Sequence, residues 1–583
     1  MTRWRSPRVV AEPVRTNWSR SPALAWLATV SYPLAFAEFA LHSKFCVLNR
    51  RNPTVPGTAG PGPRVPGLSQ DLPGERYVEP TSRVTSRPSR ITRHAGPVEL
   101  PHQGAPGPAT AAPPGSAPPP HPATPLVPAP RIASHPRPRT GERTRELRHL
   151  WRGAAAVLAA NRTGASTVPS RSLYPHQWSW DSAFIAIGLR RLDPARARRE
   201  IETLFAAQWA DGRVPHIVFN PAVPLDAYFP SPDFWRSSHV PAAPAAPETS
   251  GIVQPPVHAL AVWLVHRAAP REPGSLAFLA RMYPKLVAWH RYLSEARDLG
   301  GAGLAALVHP WESGMDNSPC WDAPLARVVP APRDSYRRAD LDHGSAEDRP
   351  TDLDYGRYVR LAAAYRDSGY ADRAERPDGA RFAVEDPGFN ALLIASEYAL
   401  AAIAAELGED PGPRTRRARE LTGVLVERLW EPGAGLFLSR DLEGKAAKPP
   451  EYGAAGLLPL LLPWLPEGIA EALRASLRGP RFGLGTRSLL VPSHDLTSPA
   501  QDPRRYWRGP AWFNVNWLLL RGLRQHGDPV GAAALRDAFL RTAGATAFAE
   551  YVDPATGRGL GAREFGWTAA LCLDLLAEEG VGE

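Results

Sequence analysis

Segments with apolar residues three and four positions apart follow one another from about residue 141 to the end of the sequence. This spacing is typical of amphipathic α-helices, and the strict alternation of half-buried strands is scarce. The segments with helical periodicity are 142–160, 181–191, 195–209, 255–267, 274–296, 355–368, 388–407, 414–430, 453–461, 467–475, 510–526, 530–543 and 567–579. The pattern therefore predicts one large all-α domain over residues 141–583.

The loops between these segments are unusually rich in Trp, Tyr, Asp, Asn and His. They contain the sequences YPHQWSWD, DGRVPHIVFNP, YFPSPDFW, HPWESGMDNSPCWD, RRYWRGPAWFNVNW and EYVDPATG. If alternate loops meet at one end of a closed ring of helix pairs, their side chains line a single cup. A toroid of six helix pairs has this property, whereas no fixed repeat of about 33 to 45 residues supports an open helical solenoid.

Aromatic rings interleaved with carboxylates and amides favour a sugar-binding site. The apolar face of a pyranose stacks on Trp or Tyr, and its hydroxyls pair with Asp, Gln, Asn and backbone groups. Hydrolysis of a glycosidic bond also needs one carboxylic acid for the leaving oxygen and a second carboxylate that acts on water or as the nucleophile. Residues 309–322 alone offer Glu312, Asp316 and Asp322 as candidates.

Other chemistries find little support in the sequence. No HExxH, GxxxxGK[ST] or GxSxG motif occurs, and no Rossmann glycine fingerprint follows a strand. The histidines lack metal-ligand spacing, and Cys46, Cys320 and Cys572 lie far apart. We therefore expect no metal and no cofactor.

The first 140 residues differ from the rest in composition. They hold 27 of the 66 prolines, and 17 Lys and Arg against 6 Asp and Glu, so the remaining chain carries 10 − 11 = −1 charge. This composition predicts a disordered Pro/Arg-rich leader, and a near-neutral body gives no reason to expect nucleic acid as a partner. The apolar segment 23–41 is interrupted by Pro33 and Glu38, so no stable membrane span is expected. A signal or anchor within residues 1–45 is the alternative.

Seven stretches of the body resemble glycoside hydrolase family 63, above all its bacterial branch of mannosylglycerate and glucosylglycerate hydrolases. They follow in order over residues 143–583. They are YPHQWSWDSAFIAIGLRRLD (174–193), DGRVPHIVFNP (211–221), HPWESGMDNSPCWD (309–322), RPTDLDYGRY (349–358), YWRGPAWFNVNWLLLRGL (506–523), EYVDPATGRGLG (550–561) and FGWTAALCLDLL (565–576).

The resemblance implies an (α/α)6 barrel and an inverting α-glycosidase without metal or cofactor. By position in the motifs, Asp316 is then the general acid and Glu550 the general base. Their carboxyl groups are expected about 6.5–9.5 Å apart, which leaves room for the attacking water. On this view Glu312 and Asp322 shape the loop or cap local structure.

The resemblance also implies two groups of substrate ligands. The expected sugar ligands are Tyr174, Gln177, Trp178, Trp180, Asp181, Trp311, Gly314, Trp321 and Trp512. The expected ligands of a glycerate-like aglycone are Tyr228, Gln254, Arg349, Tyr355 and Tyr506. Arg349 matters most for specificity, because a fixed guanidinium pairs bidentately with a carboxylate.

The predicted function is hydrolysis of a small α-glycoside, glucosylglycerate or mannosylglycerate. The sequence leaves glucose and mannose open, since the same Asp and Trp ligands can serve both. One alternative is an α-glucosidase of trehalase or debranching type, and another is a carbohydrate-binding protein without catalysis. A cytoplasmic location and a possible homo-oligomer are further expectations.

Overall fold

The computed structural model of the protein describes residues 140–343, 346–373, 381–444 and 450–582. Apart from Thr140, the predicted leader lies outside these residues. The boundary of the leader and the status of segment 23–41 therefore stay predictions.

Helices dominate the described part of the chain. Those of eleven or more residues are α1 (Thr140–Ala160), α2 (Ser179–Leu189), α3 (Pro194–Ala206), α4 (His258–Ala268), α5 (Ser275–Glu295), α6 (Asp352–Asp367), α7 (Pro387–Glu406), α8 (Gly412–Leu429), α9 (Glu467–Arg478), α10 (Phe513–Gln525), α11 (Pro529–Ala545) and α12 (Gly566–Glu578). All thirteen predicted helical segments are helical. Segment 453–461 is a 3₁₀ helix, Ala454–Leu461, that contains Pro459, a residue without the amide that an α-helix interior uses.

Shorter helical turns lie in the loops. One-turn α-helices span Pro232–Trp235 and Asp322–Leu325. Three-residue to five-residue 3₁₀ turns span Leu225–Ala227, Ser237–His239, Pro310–Ser313, Pro319–Trp321, Arg333–Ser335, Ala339–His343 and Ala346–Asp348.

Six helical elements form a closed inner ring. Each contacts the next in the order α2, α4, α7, the 3₁₀ helix Ala454–Leu461, α10 and α12, and α12 returns to α2. Six other helices pack outside: α1 on α12, α3 on α2, α5 on α4, α8 on α7, α9 on the 3₁₀ helix, and α11 on α10. This arrangement is an (α/α)6 barrel, so the predicted fold class is confirmed.

Inner and outer helices differ in sequence because they differ in surroundings. Every residue of α2 is buried, and 18 residues of α7 are buried, since inner helices have neighbours on all sides. The outer helix α8 buries only Ala418, Leu421, Thr422, Leu425 and Leu429, a single stripe along one face.

The ring is closed by the contact between α2 and α12. A Cβ atom on Gly188 would lie 2.3 Å from the Ala570 backbone, so only glycine permits this approach. Arg190 donates to the buried Asp574 carboxylate at 2.5 Å, and the Trp517 indole donates to it at 3.1 Å. Burial alone would raise the pKa of Asp574, but Arg190 and its neighbour Arg191 hold that pKa well below its usual range.

In the part of the chain that the structure describes, twelve strands of two residues each join the loops. They are β1 (Arg162–Thr163), β2 (Ser166–Thr167), β3 (Gln177–Trp178), β4 (Ile217–Val218), β5 (Ala306–Leu307), β6 (Val384–Glu385), β7 (Trp430–Glu431), β8 (Leu436–Phe437), β9 (Arg440–Asp441), β10 (Ala511–Trp512), β11 (Tyr551–Val552) and β12 (Gly559–Leu560). The antiparallel sets are β1-β2, β3-β4, β5-β6-β9, β7-β8 and β10-β11-β12. Strands β3, β10 and β6 end just before α2, α10 and α7, so these sheets tie together the loops that enter the inner helices.

One helix among the described residues, α7, is long and apolar enough to cross a bilayer. Almost all of it is buried inside the protein. Its apolar sequence is explained by its place in the inner ring.

Candidate active site

One cavity collects most of the residues that the sequence analysis singled out. Fourteen of the sixteen line it: Tyr174, Trp178, Trp180, Asp181, Tyr228, Gln254, Trp311, Gly314, Asp316, Arg349, Tyr355, Tyr506, Trp512 and Glu550. Most of them come from loops that precede α2, α4, α10 and α12 and from the long segment between β5 and α6, whereas Trp180 and Asp181 lie in the first turn of α2 and Tyr355 in the first turn of α6.

Gln177 does not line this cavity, which corrects its predicted place among the sugar ligands. Its amide donates to the Ser182 hydroxyl at 3.0 Å and to Glu200 at 3.1 and 3.2 Å. Successive side chains of a strand point in opposite directions, so Gln177 faces the core while the next residue, Trp178, faces the cavity.

Trp321 is also outside the cavity, contrary to the prediction. It is fully buried, and its indole N–H donates to the Met315 carbonyl at 2.8 Å. Its ring meets Phe382 edge-on with centroids 5.9 Å apart. Trp321 therefore supports the backbone next to Asp316 from the side of the loop that faces away from the cavity.

Several cavity residues were missed or assigned otherwise. They are Leu173, His216, Phe229, Trp235, Asp340, Trp507, Phe565 and Trp567. The ring of Trp507 stacks on that of Trp512 with centroids 3.7 Å apart, and Trp507 also lines the cavity. His216 lies in a loop that the sequence had marked as aromatic, whereas Asp340 lies in a stretch without any recognised motif.

The loop that carries Asp316 is fixed at its backbone. The Tyr358 hydroxyl donates to the Asp316 carbonyl at 2.8 Å. Gly314 has φ of +68°, and a Cβ there would lie 2.5 Å from the Trp180 ring, so glycine lets this ring pack against the turn. The carboxyl of Asp316 is thereby presented to the cavity.

The Asp316 carboxyl itself has few partners. Within the described residues, only its own backbone amide was found to donate to it. Burial is the main cause that raises the pKa of Asp316 to about 7; Glu550 contributes to the rise, whereas the backbone amide of Asp316 and Arg349 oppose it. A carboxyl group in this environment can hold a proton near neutral pH and release it to a bound molecule.

Glu550 is buried deeper and is held at both oxygens. The Tyr174 hydroxyl donates to Oε1 at 2.9 Å, and the Ala562 amide donates to Oε2 at 2.9 Å. Gly561 has φ of +67° and would place a Cβ 2.4 Å from Oε2, so a side chain there would displace the carboxylate. Burial raises the pKa of Glu550, whereas Arg349, the Ala562 amide and Tyr174 counteract this rise.

Asp181 is a third acid on the cavity wall. It lies in the first turn of α2 and is buried. Burial raises the pKa of Asp181 well above its usual range, and the nearby Glu550 adds to the effect. Hydroxyl groups of a bound ligand would offset the cost of burying the ionised carboxylate by donating hydrogen bonds to it.

Arg349 supplies a buried positive charge on the same wall. It donates to the Tyr174 hydroxyl at 3.1 Å, and its guanidinium lies 5.1 Å from the centre of the Tyr506 ring. Among the described residues, no carboxylate lies within ion-pair distance of it. A buried cation in this state is suited to an anionic ligand.

The remaining predicted aglycone ligands are partly engaged with the protein. The Gln254 carbonyl oxygen accepts the Trp180 amide at 3.1 Å, which leaves the NH₂ group of Gln254 for the cavity. The Tyr355 hydroxyl donates to the Phe229 carbonyl at 3.2 Å. In the described part of the chain the Tyr228 hydroxyl makes no hydrogen bond, so it can serve a ligand.

Glu312, four residues from Asp316, has a different environment. It is fully buried and receives Arg297 at both oxygens, at 2.6 and 2.7 Å. It also accepts the amides of Val253 at 3.2 Å and Val308 at 2.8 Å. Glu312 therefore fastens the loop of Asp316 to the segment that carries Gln254.

No group of three or more His, Cys, Asp or Glu side chains suited to a metal ion occurs among the described residues. The chemistry on the cavity wall is that of carboxyl groups, a guanidinium and aromatic rings.

The comparison with known families matches residues 174–568 to the mannosylglycerate hydrolase MGH1-like glycoside hydrolase domain. This match spans more than half of the chain. The protein belongs to the MGH1-like glycoside hydrolases. The resemblance stated from the seven motifs is thus confirmed, and so is the class of enzyme.

Curated relatives match the MGH1-like domain almost from end to end. Mannosylglycerate hydrolase from Rubrobacter radiotolerans is 44% identical over 434 residues, which are 73% of this chain and 96% of the relative. Glucosylglycerate hydrolase from Mycolicibacterium hassiacum is 40% identical over 444 residues, 73% of this chain and 96% of the relative.

A solved structure of this glycoside hydrolase family agrees with the fold. The family 63 mannosylglycerate hydrolase from Thermus thermophilus, in complex with Tris and D-glycerate, superposes with a TM-score of 0.66 at 41% identity. The superposition covers 73% of this chain and 99% of the other.

Proposed function

We propose that this MGH1-like glycoside hydrolase cleaves α-glycosides of D-glycerate, mannosylglycerate or glucosylglycerate, with inversion of the anomeric carbon. The two substrates are those named for its relatives at 44% and 40% identity. The observation that carries the proposal is Arg349, a buried guanidinium without a carboxylate partner among the described residues. A glycerate carboxylate would supply that partner.

In the proposed reaction Asp316 is the general acid. It protonates the oxygen between the sugar and glycerate as the bond to the anomeric carbon breaks. Its raised pKa, about 7, supports this role because a large fraction of the molecules then carries the proton at neutral pH.

Glu550 is the proposed general base. It takes a proton from a water molecule that attacks the opposite face of the anomeric carbon. The donors at both of its oxygens favour the ionised form and fix its direction. Trp178, Trp180, Trp311 and Asp181 then provide stacking faces and a hydroxyl acceptor for the sugar ring.

The test is a hydrolysis screen of the purified protein against mannosylglycerate, glucosylglycerate, trehalose and maltose. We expect turnover of a glycerate glycoside in preference to the two disaccharides. NMR during the first turnovers should show the β-anomer of the released sugar. Release of the α-anomer would contradict inversion, and preference for trehalose or maltose would favour the trehalase-type alternative.

Arg349→Ala separates the glycerate proposal from that alternative. Loss of a charge-assisted contact costs about 2–5 kcal/mol, so KM for the preferred glycerate glycoside should rise by at least about thirtyfold. Arg349→Lys is the matched control, since it keeps the charge without the bidentate geometry. Unchanged KM in the alanine variant would contradict recognition of the carboxylate. The expected homo-oligomer and cytoplasmic location stay predictions.

A further inference from the structure

A continuous chain of hydrogen bonds joins the proposed carboxylate-binding group to the proposed base. Arg349 Nη1 donates to the Tyr174 hydroxyl at 3.1 Å, and that hydroxyl lies 2.9 Å from Glu550 Oε1. All three side chains are buried. The chain links the two ends of the proposed substrate site through one tyrosine oxygen.

The direction of each bond follows from counting hydrogens. A phenol has one hydrogen, and an ionised carboxylate can only accept, so the Tyr174 hydrogen is directed to Glu550. The Tyr174 oxygen then accepts from Arg349, and it also accepts from the Tyr506 hydroxyl at 3.2 Å. Tyr174 is thereby a strong donor to the base, because a cation polarises its oxygen.

The charged neighbours of Glu550 also indicate that Arg349 controls the strength of this base. Arg349 has the largest lowering effect on the pKa of Glu550. The other ionisable groups that interact with Glu550 are Asp181, Asp316, Tyr174, Tyr506 and Tyr551, which are acids or phenols. In the described part of the chain, Arg349 is thus the one cation found to weaken this base.

Resting on the proposed function, we propose that Tyr174 makes the strength of the base depend on the aglycone. When a substrate carboxylate binds Arg349, the guanidinium is neutralised and no longer polarises the Tyr174 hydroxyl. Tyr174 then holds the charge of Glu550 less tightly, and the carboxylate becomes a better proton acceptor for water. Tyr174 is a positioning residue in this scheme, and the carboxylate of the correct substrate increases kcat as well as affinity.

The experiment compares two substrates that differ at one group. One is the preferred glycerate glycoside, and the other is the same glycoside of glycerol, in which CH₂OH replaces the carboxylate. For the wild-type protein we expect kcat to be at least about tenfold higher on the glycerate glycoside, a size typical of coupling between sites.

Tyr174→Phe keeps the ring and removes only the hydroxyl. The ring meets Trp178 and Phe565 edge-on at 5.3 and 5.8 Å, and these contacts remain. The ratio of kcat values between the two substrates should collapse toward one, while the ratio of KM values persists because Arg349 is intact. Tyr358→Phe is the matched control: its hydroxyl donates to the Asp316 carbonyl, outside this chain of hydrogen bonds, so its loss should lower kcat on both substrates by the same factor.

The variant Arg349→Met provides a second test, in which an increase in kcat is expected. It removes the cation that weakens Glu550, so kcat on the glycerol glycoside should rise above the wild-type value. A purely structural role for either residue would lower kcat on both substrates.

The outcomes distinguish this inference from the proposed function. If wild type cleaves neither glycoside, the proposed function fails. If it cleaves the glycerate glycoside but Tyr174→Phe lowers kcat equally on both substrates, the coupling is contradicted and the proposed function stands. A lower kcat of Arg349→Met on the glycerol glycoside would likewise contradict the coupling.

Discussion

The loop around Asp316 and the hairpin around Glu550 present the two proposed catalytic carboxyl groups in opposite ways. The loop holds its backbone tightly through Tyr358 and Trp321 but leaves the Asp316 carboxyl almost without donors. Glu550 has a donor at each oxygen, the Tyr174 hydroxyl from the loop before α2 and the Ala562 amide of its own hairpin. Burial raises both pKa values, and the charge of Arg349 opposes the rise at both groups. The two carboxyl groups differ in hydrogen bonding, which supports the proposal of a protonated acid at Asp316 and an ionised base at Glu550.

Two carboxyl groups within the loop of Asp316 differ in the same way. Glu312 and Asp316 are both buried carboxyl groups, yet Glu312 is paired with Arg297 and with two amides. A carboxylate with those partners has its oxygens occupied by the protein, and its contribution is to structure. Four residues apart, one acid is proposed for chemistry and the other for support.

The largest expected effect is the loss of either proposed catalytic group. Asp316→Asn and Glu550→Gln keep size and most contacts, so both proteins should fold. General acid or base catalysis is worth about 10²–10⁴ in rate, and we expect kcat to fall by about 10³ or more in each. Steady-state kinetics on the preferred glycoside measures this decrease in kcat. If a variant keeps a tenth of the wild-type kcat, the substituted residue is not the proposed catalytic group.

Glu312 should affect stability where Asp316 affects rate. Glu312→Gln leaves Arg297 without its full partner, and breaking a buried ion pair costs about 3–5 kcal/mol in the free energy of unfolding. Urea denaturation would measure this loss.

The matched control for Glu312 is Asp322→Asn in the same loop. Its pair with Arg508 is solvent-exposed on the Asp side, and such pairs are worth about 0–1 kcal/mol. Equal losses in the two variants would contradict the distinction between them.

Asp316→Asn should also stabilise the protein at alkaline pH. The pKa of Asp316 is raised from 3.8 to about 7, so the folded state binds more protons than the unfolded state between about pH 4 and 7, and folding stability falls as pH rises through that window. Asparagine resembles the neutral acid and escapes this loss, which is at most about 4 kcal/mol. Thermal melting should favour the variant at pH 8 and not at pH 4; no gain at pH 8 would show that the acid is not destabilised by burial.

The smallest effect is expected from Trp321→Phe. It removes one hydrogen bond to the Met315 carbonyl, worth about 1 kcal/mol, and keeps most of the buried ring. Because Trp321 acts from behind the loop, kcat should fall modestly and KM should change little. A large increase in KM with unchanged kcat would restore Trp321 as a sugar ligand.

The helices were predictable because their periodicity is local. All thirteen segments are recognisable from apolar spacing, and the ring follows once inner helices must be covered on every side. The aromatic loops predicted a common cavity because they alternate with these helices along the body of the chain. The sequence did not show which of two neighbouring side chains faces the cavity. Gln177 and Trp178 lie in a two-residue strand, which is too short for an alternating pattern to show which side chain faces the core.

Asp340 illustrates a second limit. It lines the cavity, yet Arg338 pairs with it at 2.8 and 2.9 Å, an arrangement common to ordinary surface loops. No local pattern marks such a residue, since its position depends on how the segment before α6 folds over the cavity.

The contact between α2 and α12 has a consequence for biosynthesis. Arg190 and Asp574, which meet there, are 384 residues apart in sequence. During translation the early helices leave the ribosome long before their final neighbour exists, and their apolar faces stay uncovered until the last hairpin arrives. Glu550 lies in the loop between α11 and α12, so the proposed base and the helix that closes the ring come from the same part of the chain.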